Sequence, residues 1–181
     1  LADTSGDVLY NWTLVSPQGE VYSSTNSTIT WTNIQCFNFT ATGNTSGNNG
    51  SAGGTNLAGT NLTILESRFN IATDDVDGVN ETFSLKGAFN HSEFFTANLN
   101  FTVGECPNTA IFDSSRKSTA GNFEEVLLYE PATSSVVFAA LLENNLGGYD
   151  TQSYDFETLV LEDGHNTDVS TTAYYFFVEI E

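Results

Sequence analysis

The chain has 181 residues, 39% of them hydrophobic and 15% charged, with a formal net charge of −19. That length suits a single domain with a proper core. Its four cations, Arg68, Lys86, Arg116 and Lys117, cannot form the basic stripe needed by nucleic acid or an anionic membrane surface.

Fourteen Phe and seven Tyr stand among Val, Leu and Ile, with no Met, a composition that packs well on pleated surfaces. Period-two alternation predicts strands near 8–15, 28–40, 61–72, 82–89, 93–103, 123–129, 135–142, 155–162 and 171–179, with edge strands near 20–23 and 110–112. Turn signals separate them: Ser16-Pro17-Gln18-Gly19, Asp77-Gly78, Cys106-Pro107-Asn108, Asn145-Leu146-Gly147-Gly148 and Asp163-Gly164. The expected fold is all-β, an antiparallel β-sandwich or jelly roll spanning 1–181. Residues 41–60 are almost free of bulky side chains and read as a flexible glycosylated loop. No run reaches the roughly 18 apolar residues of a membrane span, so membrane insertion is not expected. A signal peptide is not expected within the chain, and the numbering is expected to begin at or near a mature N-terminus.

N-x-Ser/Thr acceptor motifs start at Asn11, Asn26, Asn38, Asn44, Asn49, Asn61, Asn80, Asn90 and Asn100. Residues 1–102 hold 14 Asn and 26 Ser or Thr, and random placement would give about four motifs. Nine is an excess, and each motif accepts a bulky, solubilising N-linked glycan in a secreted protein. The five later asparagines, Asn108, Asn122, Asn144, Asn145 and Asn166, lack the Ser/Thr partner. The pattern divides the chain into a sugar-coated part and a bare part, and the bare part is the place for contacts. On a strand around Asn100, alternation puts Phe95, Ala97, Leu99, Phe101 and Val103 on the buried face and Asn98, Asn100 and Thr102 outside. His91, inside the Asn90 motif, is expected to be exposed.

Cys36 and Cys106 suit one disulfide in an oxidising compartment, the alternative being two buried thiols. Closing that loop would stabilise by about 4 kcal/mol on the chain-entropy model. Cys36 shares the parity of Asn38 rather than that of Phe37 and Phe39, which places the bridge at a sheet margin or bulge.

Catalysis is not expected. Neither His91 nor His165 has a nucleophile elbow or zinc-ligand spacing to work with, and paired carboxylates in an acidic chain decide nothing. The best metal candidate is the acidic stretch 74–81, where Asp75 and Asp77 beside Gly78 offer oxygen ligands to Ca²⁺. An acidic hairpin turn is the plainer reading, and no cofactor is required. Trp12, Trp31, Tyr10, Tyr22, Tyr149, Tyr154, Tyr174 and Tyr175 would serve sugar binding only if several rings were exposed together.

The chain ends carry the strongest assembly signal. Val8, Tyr10, Trp12 and Leu14 share one strand face, an alternating segment suited to completing a neighbour's sheet by strand donation, with 1–15 as the donor. The segment 173–180 is apolar on both faces, which places it centrally in a sandwich or against another subunit. These features together resemble the subunits of extracellular filaments built by donor-strand exchange, the pilus-like and thread-like surface glycoproteins. The resemblance lies in the alternating N-terminal segment, the strand series, the single disulfide and the dense acceptor motifs. It implies a non-enzymatic, extracellular, self-polymerising structural subunit at the cell surface. The alternative is a lectin-like, carbohydrate-binding β-sandwich, with calcium at Asp75 and Asp77.

Overall fold

The computed structural model describes residues 18–37, 66–67, 69–72, 75–76, 78–83, 89–162 and 171–180. Among the described residues ten strands run in chain order: β1 Gly19–Ser24, β2 Gln35–Cys36, β3 Phe94–Thr96, β4 Leu99–Phe101, β5 Asn108–Ala110, β6 Glu124–Glu130, β7 Ser135–Leu141, β8 Leu146–Gly147, β9 Ser153–Tyr154 and β10 Tyr175–Ile180. Helical structure is limited to short turns among the described residues, including Trp31–Asn33 and Val79–Thr82. The fold is therefore all-β. Every strand pairing in it is antiparallel, an arrangement consistent with a β-sandwich, although the described strands do not trace a jelly-roll order.

The main sheet has the order β10-β1-β7-β6-β2, with β5 also on β6. Its centre is built from Glu-Glu-Val-Leu-Leu-Tyr-Glu and Ser-Val-Val-Phe-Ala-Ala-Leu, runs apolar at both parities that demand cover on both faces. On one face Tyr22, Cys36, Val126, Leu128, Val137, Ala139 and Leu141 pack under Phe94, Phe101 and Ile34. On the other, Phe37, Leu127, Tyr129 and Phe138 pack against Val79, Phe83 and Leu161. The turn between β6 and β7 is held by the Glu130 carboxylate, which accepts the backbone N–H groups of Ala132 and Thr133, each at 2.9 Å.

Burial on both faces explains where alternation misleads. Cys36 and Phe37 have opposite parity, yet both are buried, each in a different core. The expected marginal disulfide thus sits on the outer strand of the sheet but inside the core, a correction to the parity reading. The described part of the expected strand 28–40, residues 28–37, holds a 3₁₀ turn and the two residues of β2. Segment 20–23 is not an edge, because β1 lies between β10 and β7.

The expected strand 93–103 is a hairpin. It turns at Ala97, whose φ of +54° is the left-handed conformation such a tight reversal needs. Parity therefore resets at the turn. Phe94 stacks on Phe101 at 4.8 Å inside the core, whereas Phe95 and Val103 are exposed. Segment 155–162 is an irregular strap rather than a strand, and the described parts of 61–72 and 82–89 contain none.

The disulfide lies at a neck. On the outer edge of β6, Gln35 and Cys36 oppose Tyr129 and Leu128, and β5 resumes with Asn108 opposite Val126. At the junction, the Leu127 carbonyl accepts the Phe37 N–H and the Leu127 N–H donates to the Pro107 carbonyl. The chain leaves the sheet after β2 and returns where it left, and Cys36–Cys106, with Cα atoms 5.0 Å apart, closes that point.

Candidate interaction edge and glycan-acceptor residues

Strand β10 is a sheet edge, paired with β1 over six residues and with no other described strand. One of its faces is anchored. Phe177 meets Trp31 edge-on at 5.1 Å, and Trp31 packs on Tyr22 at 4.8 Å. The Glu179 carboxylate accepts the Ala97 N–H with both oxygens, at 2.9 and 3.1 Å. It also lies 3.1 Å from the Tyr22 hydroxyl, which approaches Thr96 Oγ1 at 3.1 Å and Glu20 Oε2 at 3.3 Å. Burial, reinforced by Glu20, pushes the Tyr22 phenol well above its ordinary range, so it stays a neutral hydroxyl within this acidic setting.

The other face of β10 is open. Phe176, Val178 and Ile180 are 49%, 43% and 49% exposed, and Tyr175 is exposed beside them. The expectation that 173–180 lies centrally in the sandwich is corrected: it is an edge strand whose Phe176, Val178 and Ile180 face outward. Sheet edges are normally blunted by Lys, Pro, bulges or inward-pointing charges. Here Tyr-Phe-Phe-Val-Glu-Ile carries one charge, Glu179, and its contacts to Ala97 and Tyr22 turn it towards the body of the fold.

Val8, Tyr10, Trp12 and Leu14, the expected donor residues, lie outside the described residues, as do Asn11, Asn38, Asn44, Asn49, Asn61 and the loop 41–60. Three acceptor asparagines are described with their side chains. Asn26 follows β1, where its Oδ1 accepts the Thr28 N–H at 2.9 Å and its Nδ2 donates to Ser135 Oγ at 3.1 Å. Asn90 is exposed and leans on Gly104, where a Cβ would come within 2.8 Å of Asn90 Oδ1. Asn100 projects from the outer face of β4, donating to Glu93 Oε1 at 2.9 Å, as alternation predicts. Asn80 falls on the helical turn Val79–Thr82.

His91 overturns its expectation, because it is fully buried. Nδ1 lies 2.7 Å from the Ser92 carbonyl and Nε2 accepts the Cys106 N–H at 2.9 Å, which fixes a neutral ring with its proton on Nδ1. Burial pulls its pKa below the ordinary value. The alternation that turns Asn90 outward turns His91 inward, against Phe94 and the disulfide neck.

Of the calcium candidates, Asp75 is described and Asp77 is not. Among the described residues no group of three His, Cys, Asp or Glu is placed to hold a metal ion. Glu66, fully buried nearby, accepts the Val79 N–H at 3.0 Å, and burial raises its pKa.

Two carboxyls, Glu125 buried and Glu143 half-buried, escaped the sequence reading, in which Glu124-Glu125 looks like the solvated start of a strand. Glu125 is fully buried under the strap 155–162, accepting the Thr158 hydroxyl and the Leu159 N–H, and burial pushes it up to about 8. Glu143 accepts the Phe123 N–H at 2.9 Å and is pushed up to about 7, again chiefly by burial.

A second exposed aromatic group comprises Phe112, Tyr149 and Tyr154, with the Arg116 guanidinium 5.6 Å from the Tyr149 ring centroid. No helix among the described residues is long and apolar enough to cross a membrane. Protein-family models, curated proteins and solved structures offer no match to this chain.

Proposed function

We propose that the protein is a non-enzymatic structural subunit of a glycosylated extracellular filament or surface layer, assembled by strand donation between copies. The observation that carries this reading is the unblunted apolar edge of β10. Such an edge takes up an extended partner through main-chain hydrogen bonds, with alternate side chains adding specificity. The segment bearing Val8, Tyr10, Trp12 and Leu14 in a second copy has the matching alternation and the length to lie along six residues. Glycans on the acceptor asparagines coat the remaining surface and discourage lateral sheet pairing. With 13 of the 23 acids after Cys106, solution cations bridge the bare contacts. The disulfide suits an oxidising exterior.

Deleting residues 1–15, or introducing Val178→Lys, is expected to leave soluble monomers where the native chain forms polymers visible by electron microscopy. Normal polymerisation of both variants would end the strand-donation reading.

Exposure of Phe112, Tyr149 and Tyr154 together favours a second reading, a carbohydrate-binding module, with calcium at Asp75 and Asp77 as its dependent form. Glycan-array binding that is lost in EDTA would select it.

A further inference from the structure

A cavity of about 520 Å³ opens where β1 ends, between the β6–β7 turn and the start of β10. That size falls within the roughly 300–1,000 Å³ of small-ligand sites. Thr133, Ser135 and Thr172 give its wall hydroxyls, and Tyr174 and Tyr175 give it aromatic rings. Among the described residues no charged side chain lines it, in a chain of net charge −19. Such a lining suits a neutral polyol, which offers hydroxyls to hydroxyls and C–H faces to rings. Asn26 is part of the same wall, where Nδ2 donates to Ser135 Oγ while the turn to the Thr28 N–H fixes the amide plane.

We propose that this cavity seats the first sugars of a glycan carried on Asn26, so that this glycan is an internal ligand of the fold. The proposal rests on the reading of Asn26 as an occupied acceptor. Attachment replaces one Nδ2 proton with the anomeric carbon of the sugar. An activated glycosyl phosphate supplies that carbon, its phosphate leaves with the electron pair of the broken C–O bond, and the displaced proton passes to solvent. One amide proton remains. Asn90 and Asn100 stand exposed, so sugars there project into solvent. The Asn26 glycan instead bridges the end of β1, the β6–β7 turn and the entry to β10.

Hydrogen–deuterium exchange on the native glycoprotein tests this against Thr28→Ala, which removes the acceptor motif but keeps the Asn26 amide and the backbone N–H that it accepts. Ser92→Ala, which removes the Asn90 motif, is the control. Loss of the Asn26 sugar is expected to speed exchange at 134–136 and 172–175 about tenfold, while Ser92→Ala leaves those amides unchanged. On the unmutated folded protein, an endoglycosidase should release the Asn90 sugar well before the Asn26 sugar. Glycopeptide mass from the same material reads occupancy. An occupied Asn26 with unchanged exchange and equal release overturns the seat alone. An unmodified Asn26 overturns the acceptor reading and the seat with it.

Discussion

Replacing Glu125 with Gln should change the pH dependence of stability in a defined way. The glutamine keeps the shape and an acceptor oxygen for the Thr158 hydroxyl and the Leu159 N–H, and removes only the capacity to ionise. In the folded chain the carboxyl is fully buried under the 155–162 strap and holds its proton up to about 8, against an ordinary value of 4.5. Between those values the folded state binds more protons than the unfolded one, so this group's contribution is intact below 4.5 and is lost as pH rises towards 8. At ~1.4 kcal/mol per pH unit, the interval sets a ceiling of about 5 kcal/mol. Local relaxation and water entry reduce it, and only part of the interval lies between pH 5 and pH 8, so a gain of about 2–3.5 kcal/mol is expected for Glu125→Gln at pH 8 relative to pH 5. Urea unfolding of both proteins at successive pH values measures the difference. Glu143, whose raised pKa acts with the same sign, is common to both and cancels. A difference that stays within about 0.5 kcal/mol from pH 5 to pH 9 would refute the claim that Glu125 is held neutral.

Removing the disulfide by Cys36→Ala with Cys106→Ala should lower unfolding free energy by about 4 kcal/mol, from the loop entropy of a 70-residue separation. Chemical denaturation measures it, and a loss below about 1 kcal/mol would mean that the neck holds together without the bridge. Nitrogen NMR of His91 should show a neutral ring protonated at Nδ1 down to a pH below its ordinary 6.5. Because the unfolded histidine takes up its proton first, its contribution is lost as pH falls through that range. An imidazolium signal at pH 6.5 in the folded protein would contradict the Cys106 N–H···Nε2 bond.

The centre of the fold was legible because β6 and β7 declare themselves as long runs of Val, Leu, Phe and Tyr, and structure and expectation agree there within a residue or two. The cysteine pairing was legible for want of any alternative partner. Alternation failed at Cys36 and Phe37 because the rule equates one parity with solvent, and this sheet has cover on both faces. It failed at Phe95 because a left-handed Ala97, a residue with no turn signature, reverses the chain inside what reads as one strand. His91 was misplaced because the exposure of Asn90 was extended to its neighbour. The outward face of β10 was hidden for the opposite reason: apolar residues at both parities signal burial, yet Phe176, Val178 and Ile180 stand at an open edge. Glu125 left no trace, since a carboxyl kept neutral by a strap 33 residues away is a tertiary fact.

The neck at Cys36–Cys106 ties the ends of one covalently closed loop that carries seven of the nine acceptor motifs. The register of β6 depends on where the chain leaves and where it returns, and both points are fixed by adjacent backbone bonds and one covalent link. That loop supplies Phe94 and Phe101 to one core and Val79 and Phe83 to the other, so changes at those positions reach the strands directly. A protease that cuts within it leaves both halves attached. Ala97, inside the same closed loop, donates its N–H to Glu179 of β10, so the loop and the sheet edge are mechanically joined.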